Sequence, residues 1–248
     1  MATASPSRRG PVWERIAPRD IALPVTDVGA LSGQEAVVVA GGALYLVGGA
    51  RPQALCEDTR PSARVIQAEG DHFVALGGSE GEPIVWRSAD RGRRCQRVRL
   101  PPLTMRAAAQ RGSLRLALDG NVAIAWTLAG AIAWSGDAGA TWRRVSDLAG
   151  TIDVFTQTDG SLVAASRMVA GADGLRYGEL LRLYRLAHAG QGLWEPLAIA
   201  PERRYPLQVT HDDAGGLLLL DPLGTFRLGP DGQLRDEHPE PALRSPEE

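Results

Sequence analysis

Few residues in this chain have the types and spacing that chemistry requires. Gly77-Gly78-Ser79-Glu80-Gly81 matches G-x-S-x-G, the pattern that lifts a serine nucleophile on a sharp turn between a strand and a helix. Pro83 to Trp86 reads as another strand, so the segment is expected to be a plain hairpin loop. His72, His188, His211 and His238 lack the short spacings of a metal site, and His211-Asp212-Asp213 reads as a strand end. Neither a metal nor a cofactor is expected. Arg87, Arg91, Arg93, Arg94, Arg97 and Arg99 form a basic run, but Arg97 and Arg99 alternate with Val98 and Leu100 as a charged edge strand would. The net charge of −2 argues against a generally basic nucleic-acid binder. All 27 basic residues are arginine, a bias that a GC-rich genome accounts for more simply than a guanidinium function. Cys56 and Cys95 leave two options, a disulfide or two buried thiols. A disulfide would close a loop of about 40 residues, contribute roughly 3 to 4 kcal/mol in the chain-entropy model, and point to an oxidising compartment.

The most informative spacing belongs to a turn. Ser135-Gly136-Asp137-Ala138-Gly139-Ala140-Thr141-Trp142 separates one apolar run ending at Trp134 from another beginning at Trp142. An Asp in a turn accepts hydrogen bonds from backbone N–H groups a few residues on, hydroxyls do the same more weakly, and Gly139 takes a positive φ cheaply. Ser88-Ala89-Asp90-Arg91-Gly92-Arg93-Arg94-Cys95 keeps the Ser, Asp and Gly but has Arg94 and Cys95 in the Thr and Trp positions. The two start 47 residues apart.

These turns punctuate a chain of short apolar runs. Gly41-Gly42, Gly70-Asp71, Asp119-Gly120, Asp159-Gly160 and Gly215-Gly216 each precede such a run, as tight hairpin turns do. Leu181 to Leu186 and Leu193 to Leu197 flank a turn that reads as a third copy without its Asp. No convincing amphipathic helix is present, which argues against parallel α/β folds. At 248 residues, 44% hydrophobic and with 29 Gly, the chain suits one large turn-rich all-β domain. Residues 1–10 are expected to be a disordered N-terminus, 11–236 the domain, and 237–248 a disordered acidic, Pro-rich tail.

The spacing S-x-D-x-G-x-T-W resembles the Asp-box (bacterial neuraminidase) repeat of sialidase-like β-propellers, in which the box joins the third and fourth strands of a blade. The resemblance implies an all-β fold, a β-propeller of four-stranded antiparallel blades. Five tight turns give five blades; because Gly41-Gly42 and Gly70-Asp71 are only 29 residues apart, the first is expected to be irregular, around Pro52 to Pro61, with Val12 to Ile16 closing the ring. Six blades, or a ring completed by a partner, stay open. The structural box residues are then Ser135, Asp137, Gly139, Thr141 and Trp142, with Ser88, Asp90 and Gly92 in the second copy. Trp13, Trp142 and Trp194 open outer strands and are expected to pack between blades.

In a four-stranded meander the first-to-second and third-to-fourth turns share one end, and all other connections lie opposite. The locked turns mark a structural end, so recognition is expected at the second-to-third loops and blade connections. Arg51, Arg106, Arg176, Tyr177, Arg204 and Tyr205 are the candidate binding residues, and Met168 to Glu179 is the longest insertion. Sialidases use an arginine triad, a Tyr–Glu pair and an Asp. That set does not map onto this chain, although Arg64, Arg106 and Arg204 fall near the starts of inner strands. The family also contains non-catalytic binding propellers. The expected role is therefore a protein- or carbohydrate-binding scaffold without catalytic residues; the alternative is a divergent sialidase-like glycoside hydrolase. No signal peptide is legible before Pro11 and no membrane span anywhere, while Ala2-Thr3-Ala4 and the cysteine pair lean to a periplasmic or secreted location. The oligomeric state is left open.

Overall fold

Apolar runs bounded by Gly and Asp turns fold here as twenty strands in five sheets. The computed structural model describes residues 21, 23–56, 63–78, 82–103, 114–156, 160–171, 174–187, 192–199, 208–211, 217–221, 224–228 and 234–236. Blade one comprises β1 (Val25–Ala30), β2 (Ala36–Ala40), β3 (Ala43–Val47) and β4 (Gln53–Leu55); blade two comprises β5 (Ala63–Glu69), β6 (His72–Gly78), β7 (Pro83–Ser88) and β8 (Gln96–Arg99). Blade three holds β9 (Leu114–Asp119), β10 (Val122–Thr127), β11 (Ile132–Ser135) and β12 (Arg143–Arg144). Blade four holds β13 (Thr151–Thr156), β14 (Leu162–Gly171), β15 (Gly174–Leu186) and β16 (Glu195–Ile199), and blade five β17 (Gln208–His211), β18 (Leu217–Asp221), β19 (Gly224–Leu228) and β20 (Leu234–Asp236). Each sheet is a four-stranded antiparallel meander in chain order. Among the described residues there is no helix, so none is long and apolar enough to cross a membrane.

First strands contact one another from blade to blade, β1 with β5, β5 with β9 and β9 with β13, so they form the inner edge of their sheets. The second strands β6 and β10 are covered on both faces by neighbouring sheets, and β2 by blade two on one face and by Ile21 and Tyr45 on the other. That is why β2, β6 and β10 read as continuous apolar runs instead of alternating. Three apolar cores fill the spaces between blades one and two, two and three, and three and four, around Phe73 and Trp86, Leu76 and Leu103, and Ile132 and Leu162 respectively. Outer strands are the exposed edges: Arg97 and Arg99 lie on β8, the last strand of its sheet.

The first blade has its full four strands, with only β4 short. The 29-residue spacing has another cause. Gly41-Gly42 joins β2 to β3, a second-to-third turn, whereas Gly70-Asp71 and Gly120-Asn121 join first strands to second ones, as does the connection containing Gly160. The irregularity is therefore in the rank of the turn, and Gly41-Gly42 belongs to the end opposite the locked turns. Val12 to Ile16, and the terminal segments 1–10 and 237–248, lie outside the described residues.

The locked turns form as a web of short bonds. Ser135 Oγ donates to Asp137 Oδ1 (2.8 Å) and accepts from the N–H of Gly139 (2.9 Å). Asp137 also accepts from the Thr141 N–H (2.8 Å) and hydroxyl (2.7 Å). Burial pushes the Asp137 carboxyl up, but these donors outweigh it and hold it at about 2. In the second copy, Ser88 Oγ donates to Asp90 (2.7 Å) and accepts from Gly92 N–H (2.8 Å), and Arg94 keeps the backbone bond to Asp90 (2.9 Å). Ala138 and Arg91 both adopt left-handed φ, 50° and 58°, just before their glycines. Their N–H groups reach back to the first-to-second turn of the same blade, at Asn121 O and Asp71 O.

The residue that ends the third-to-fourth connection in blades two, three and four ties its blade to the preceding one. Trp142 packs into the core between blades two and three while its indole N–H donates to Gly139 O (2.9 Å). Trp194 packs between blades three and four, its N–H donating to Ser146 O just past β12 (2.7 Å). Cys95 occupies the same position in blade two and forms a disulfide with Cys56, just past β4. A covalent link thus stands where blades three and four use an indole.

Candidate functional site

The two ends of the blades differ in what they offer a ligand. At the end of the locked turns, acidic side chains closing the first strands are already used to join blades. Glu69, the last residue of β5, accepts from Gly120 N–H of blade three (2.7 Å), and Asp119, the last of β9, accepts from the Thr156 hydroxyl of blade four (2.8 Å). Arg91 bridges blades one and two, donating to Asp71 (2.7 Å), Glu35 (3.0 Å) and Ser32 (2.6 Å). Arg51, a candidate binding residue, sits exposed on the β3–β4 connection, hence at this end and not the opposite one.

Between β9 and β13 a cavity of about 360 Å³ opens at this same end, lined by Ala117, Val122, Ile124 and Phe155 with Glu69, Asp119 and Asp153. Asp153 is its unusual member. Burial drives its carboxyl up to about 6; the Val154 N–H and the charge of the Arg115 guanidinium oppose that rise but do not cancel it. Asp27 shows what the arrangement does elsewhere. Both Asp27 and Asp153 follow a bulge in a first strand and accept the N–H of the next residue, Val28 (3.0 Å) or Val154 (2.9 Å). Asp27 spends its second oxygen on Ile66 N–H of the following blade (2.8 Å), a bond with no counterpart at Asp153 among the described residues. The sequence signal was the repeat Thr26-Asp27-Val28 and Ile152-Asp153-Val154 at equal rank in two first strands.

The opposite end carries the largest departure from a plain blade. β14 and β15 run 10 and 13 residues, against 5 to 7 for second strands and 4 to 6 for third strands elsewhere. The segment Met168 to Glu179, expected as a loop, is thus mostly a hairpin extension containing Arg176 and Tyr177, paired with Val169 and Met168. Pro101 and Pro102 lie at the start of the connection between blades two and three, followed by fully buried Leu103. Arg64 is exposed in the β5 bulge. Arg106, Arg204 and Tyr205 fall outside the described residues, as do Ser79 to Gly81 and three of the four histidine side chains. The G-x-S-x-G stretch is followed by β7, paired to β6 through Gly78 and Pro83, so the helix that a nucleophile elbow needs is replaced by a strand.

No protein-family model matches this sequence, and no curated protein matches it. Solved structures match in fold. The structure described as YCF48 bound to D1 peptide is 19% identical, with a TM-score of 0.50, over 89% of this chain and 71% of that one. The tricorn protease is 12% identical with a TM-score of 0.60, over 88% of this chain and 23% of that one. The GH74 xyloglucanase from Xanthomonas campestris is 21% identical with a TM-score of 0.50, over 94% of this chain and 40% of that one. Sheet topology and these likenesses together make the chain a β-propeller.

Proposed function

We propose that this propeller is a non-catalytic, Asp-box-type scaffold that binds a protein or carbohydrate partner through its second-to-third ends and blade connections, with a peptide as the favoured ligand. The observation that carries this reading is the extended β14–β15 hairpin, which projects from the end where no locked turn constrains the chain. A fixed framework with one elongated connection is how binding sites are built on rigid folds. The likeness to YCF48, which is described with a bound peptide, supports a peptide partner. The test is a combined peptide and glycan array probed with the intact protein and with a variant whose residues 168–179 are replaced by a two-residue turn. Binding to peptides that disappears in the variant, with an unchanged urea midpoint, supports the reading; equal binding by both proteins contradicts it.

One observation favours a second reading. A carboxyl raised to about 6 by burial, in a cavity that Asp119 also lines, has the poise of a general acid in glycoside hydrolysis, and GH74 enzymes share the fold. Release of reducing sugar from xyloglucan or of sialic acid from a sialoside, abolished by Asp153→Asn, would establish it.

A further inference from the structure

The register of blade four fixes which backbone groups of its extended hairpin are left over. β13 pairs with Leu162 to Ser166 of β14, and β16 pairs with Arg182 to Arg185 of β15. Beyond these, Met168 to Gly171 pair only with Gly174 to Tyr177, and among the described residues no strand lies against the outer edge of either. Gly171 pairs with Gly174, three positions further along the chain, the separation of a hydrogen-bonded closing pair. Antiparallel pairs alternate, so Val169 bonds inward to Arg176 while Ala170 and Met168 turn their N–H and C=O groups outward. Met168-Val169-Ala170-Gly171 carries none of the charges or prolines that normally guard such an edge.

The base of this edge is cationic. Arg167 immediately precedes Met168, and its Nη2 is buried without an acceptor; the Nε of Arg182, whose backbone pairs with Ser166, is buried without one too. Arg185, further down the same strand, has its Nε on the Ser161 hydroxyl. Among the described residues one buried donor of each of these two guanidinium groups is thus left without an acceptor, a donor that an added anion can take.

We propose that the β14 edge, Met168 to Gly171, binds an extended acidic peptide as an added strand, its backbone bonding to Met168 and Ala170 and a carboxylate reaching Arg167. An open strand edge is complementary to one thing, another extended backbone, and the Arg167 donor left without an acceptor at its root selects an acidic one. The proposal rests on the protein-binding reading above and names the partner chemistry within it.

The test uses fluorescein-labelled octapeptide pools without proline, one ending in two aspartates and one uncharged, with fluorescence anisotropy on the intact protein. The acidic pool is expected to bind. Ala170→Pro removes one outward N–H without touching the inward ladder and is expected to weaken binding at least about tenfold; Ala170→Ser, which keeps that N–H, is not. Arg167→Gln is expected to cost about tenfold with the acidic pool and to leave the uncharged pool unaffected. Should Ala170→Pro fail to fold, the same acidic pool N-methylated at alternate residues replaces it, and loss of binding is expected. Acidic-pool binding that survives both Ala170→Pro and N-methylation overturns edge pairing while leaving the peptide-binding reading intact. Light scattering that shows a dimer converted to a monomer by Ala170→Pro overturns the proposed occupant in favour of a second copy. No binding by either pool overturns both readings.

Discussion

Removing the Cys56–Cys95 link should lower stability by an amount that can be worked from the chain. The disulfide spans 39 residues, and the loop-closure entropy it removes from the unfolded state corresponds to about 4 kcal/mol at 25 °C. The same position in blades three and four is held by Trp142 and Trp194 without covalent help, so the loss should weaken the fold without abolishing it. Other bonds between blades one and two persist: Arg91 to Glu35, Asp27 to Ile66 and the core around Phe73. Urea unfolding of oxidised wild type, reduced wild type and the Cys56→Ala/Cys95→Ala pair should give two coincident destabilised curves, and melting should fall by about 8 to 16 °C for a chain of this size. Reduced and oxidised protein agreeing within about 0.5 kcal/mol would refute the claim that the link replaces an indole staple.

Asp137→Asn should cost about 1 kcal/mol at pH 7, after discounting for the exposure of the turn. Its folded value of about 2 lies below the usual 3.8, so this contribution is present above pH 3.8 and fades as pH falls through 2, readable as a wild-type-minus-mutant difference in a pH series of urea midpoints. Asp153 works in the other sense. With a folded value of about 6 its contribution to the folded state is full below pH 3.8 and is lost as pH rises through 6; Asp153→Asn should therefore gain about 2 to 3 kcal/mol at pH 7 and nothing at pH 3. Gly139→Ala should lose at least about 1 kcal/mol by denaturant titration, because φ is +84° there and a Cβ would meet Val74 at 3.3 Å.

The locked turns were legible because every partner of Asp137 lies within four residues of it, so residue type and spacing encode the whole bond set. The rank of Gly41-Gly42 was not, since tight glycine turns suit any antiparallel hairpin whether it joins first to second or second to third strands. The cysteine pairing stayed open because it joins neighbouring blades, and nothing local distinguishes a bonded pair from two buried thiols. Asp153 escaped notice for the same reason: its burial comes from the cavity that blade four encloses with blade three. Met168 to Glu179 stood out by length alone, while its strand character comes from pairing that only the register reveals.

Hydrogen exchange on the intact protein, with and without a saturating peptide selected from the array, tests the division between a structural end and a binding end. Slowed exchange is expected across 167–177 and none at the locked turn of 135–142. Slowed exchange confined to the cavity strands 117–122 and 153–156, with the hairpin unchanged, would contradict it.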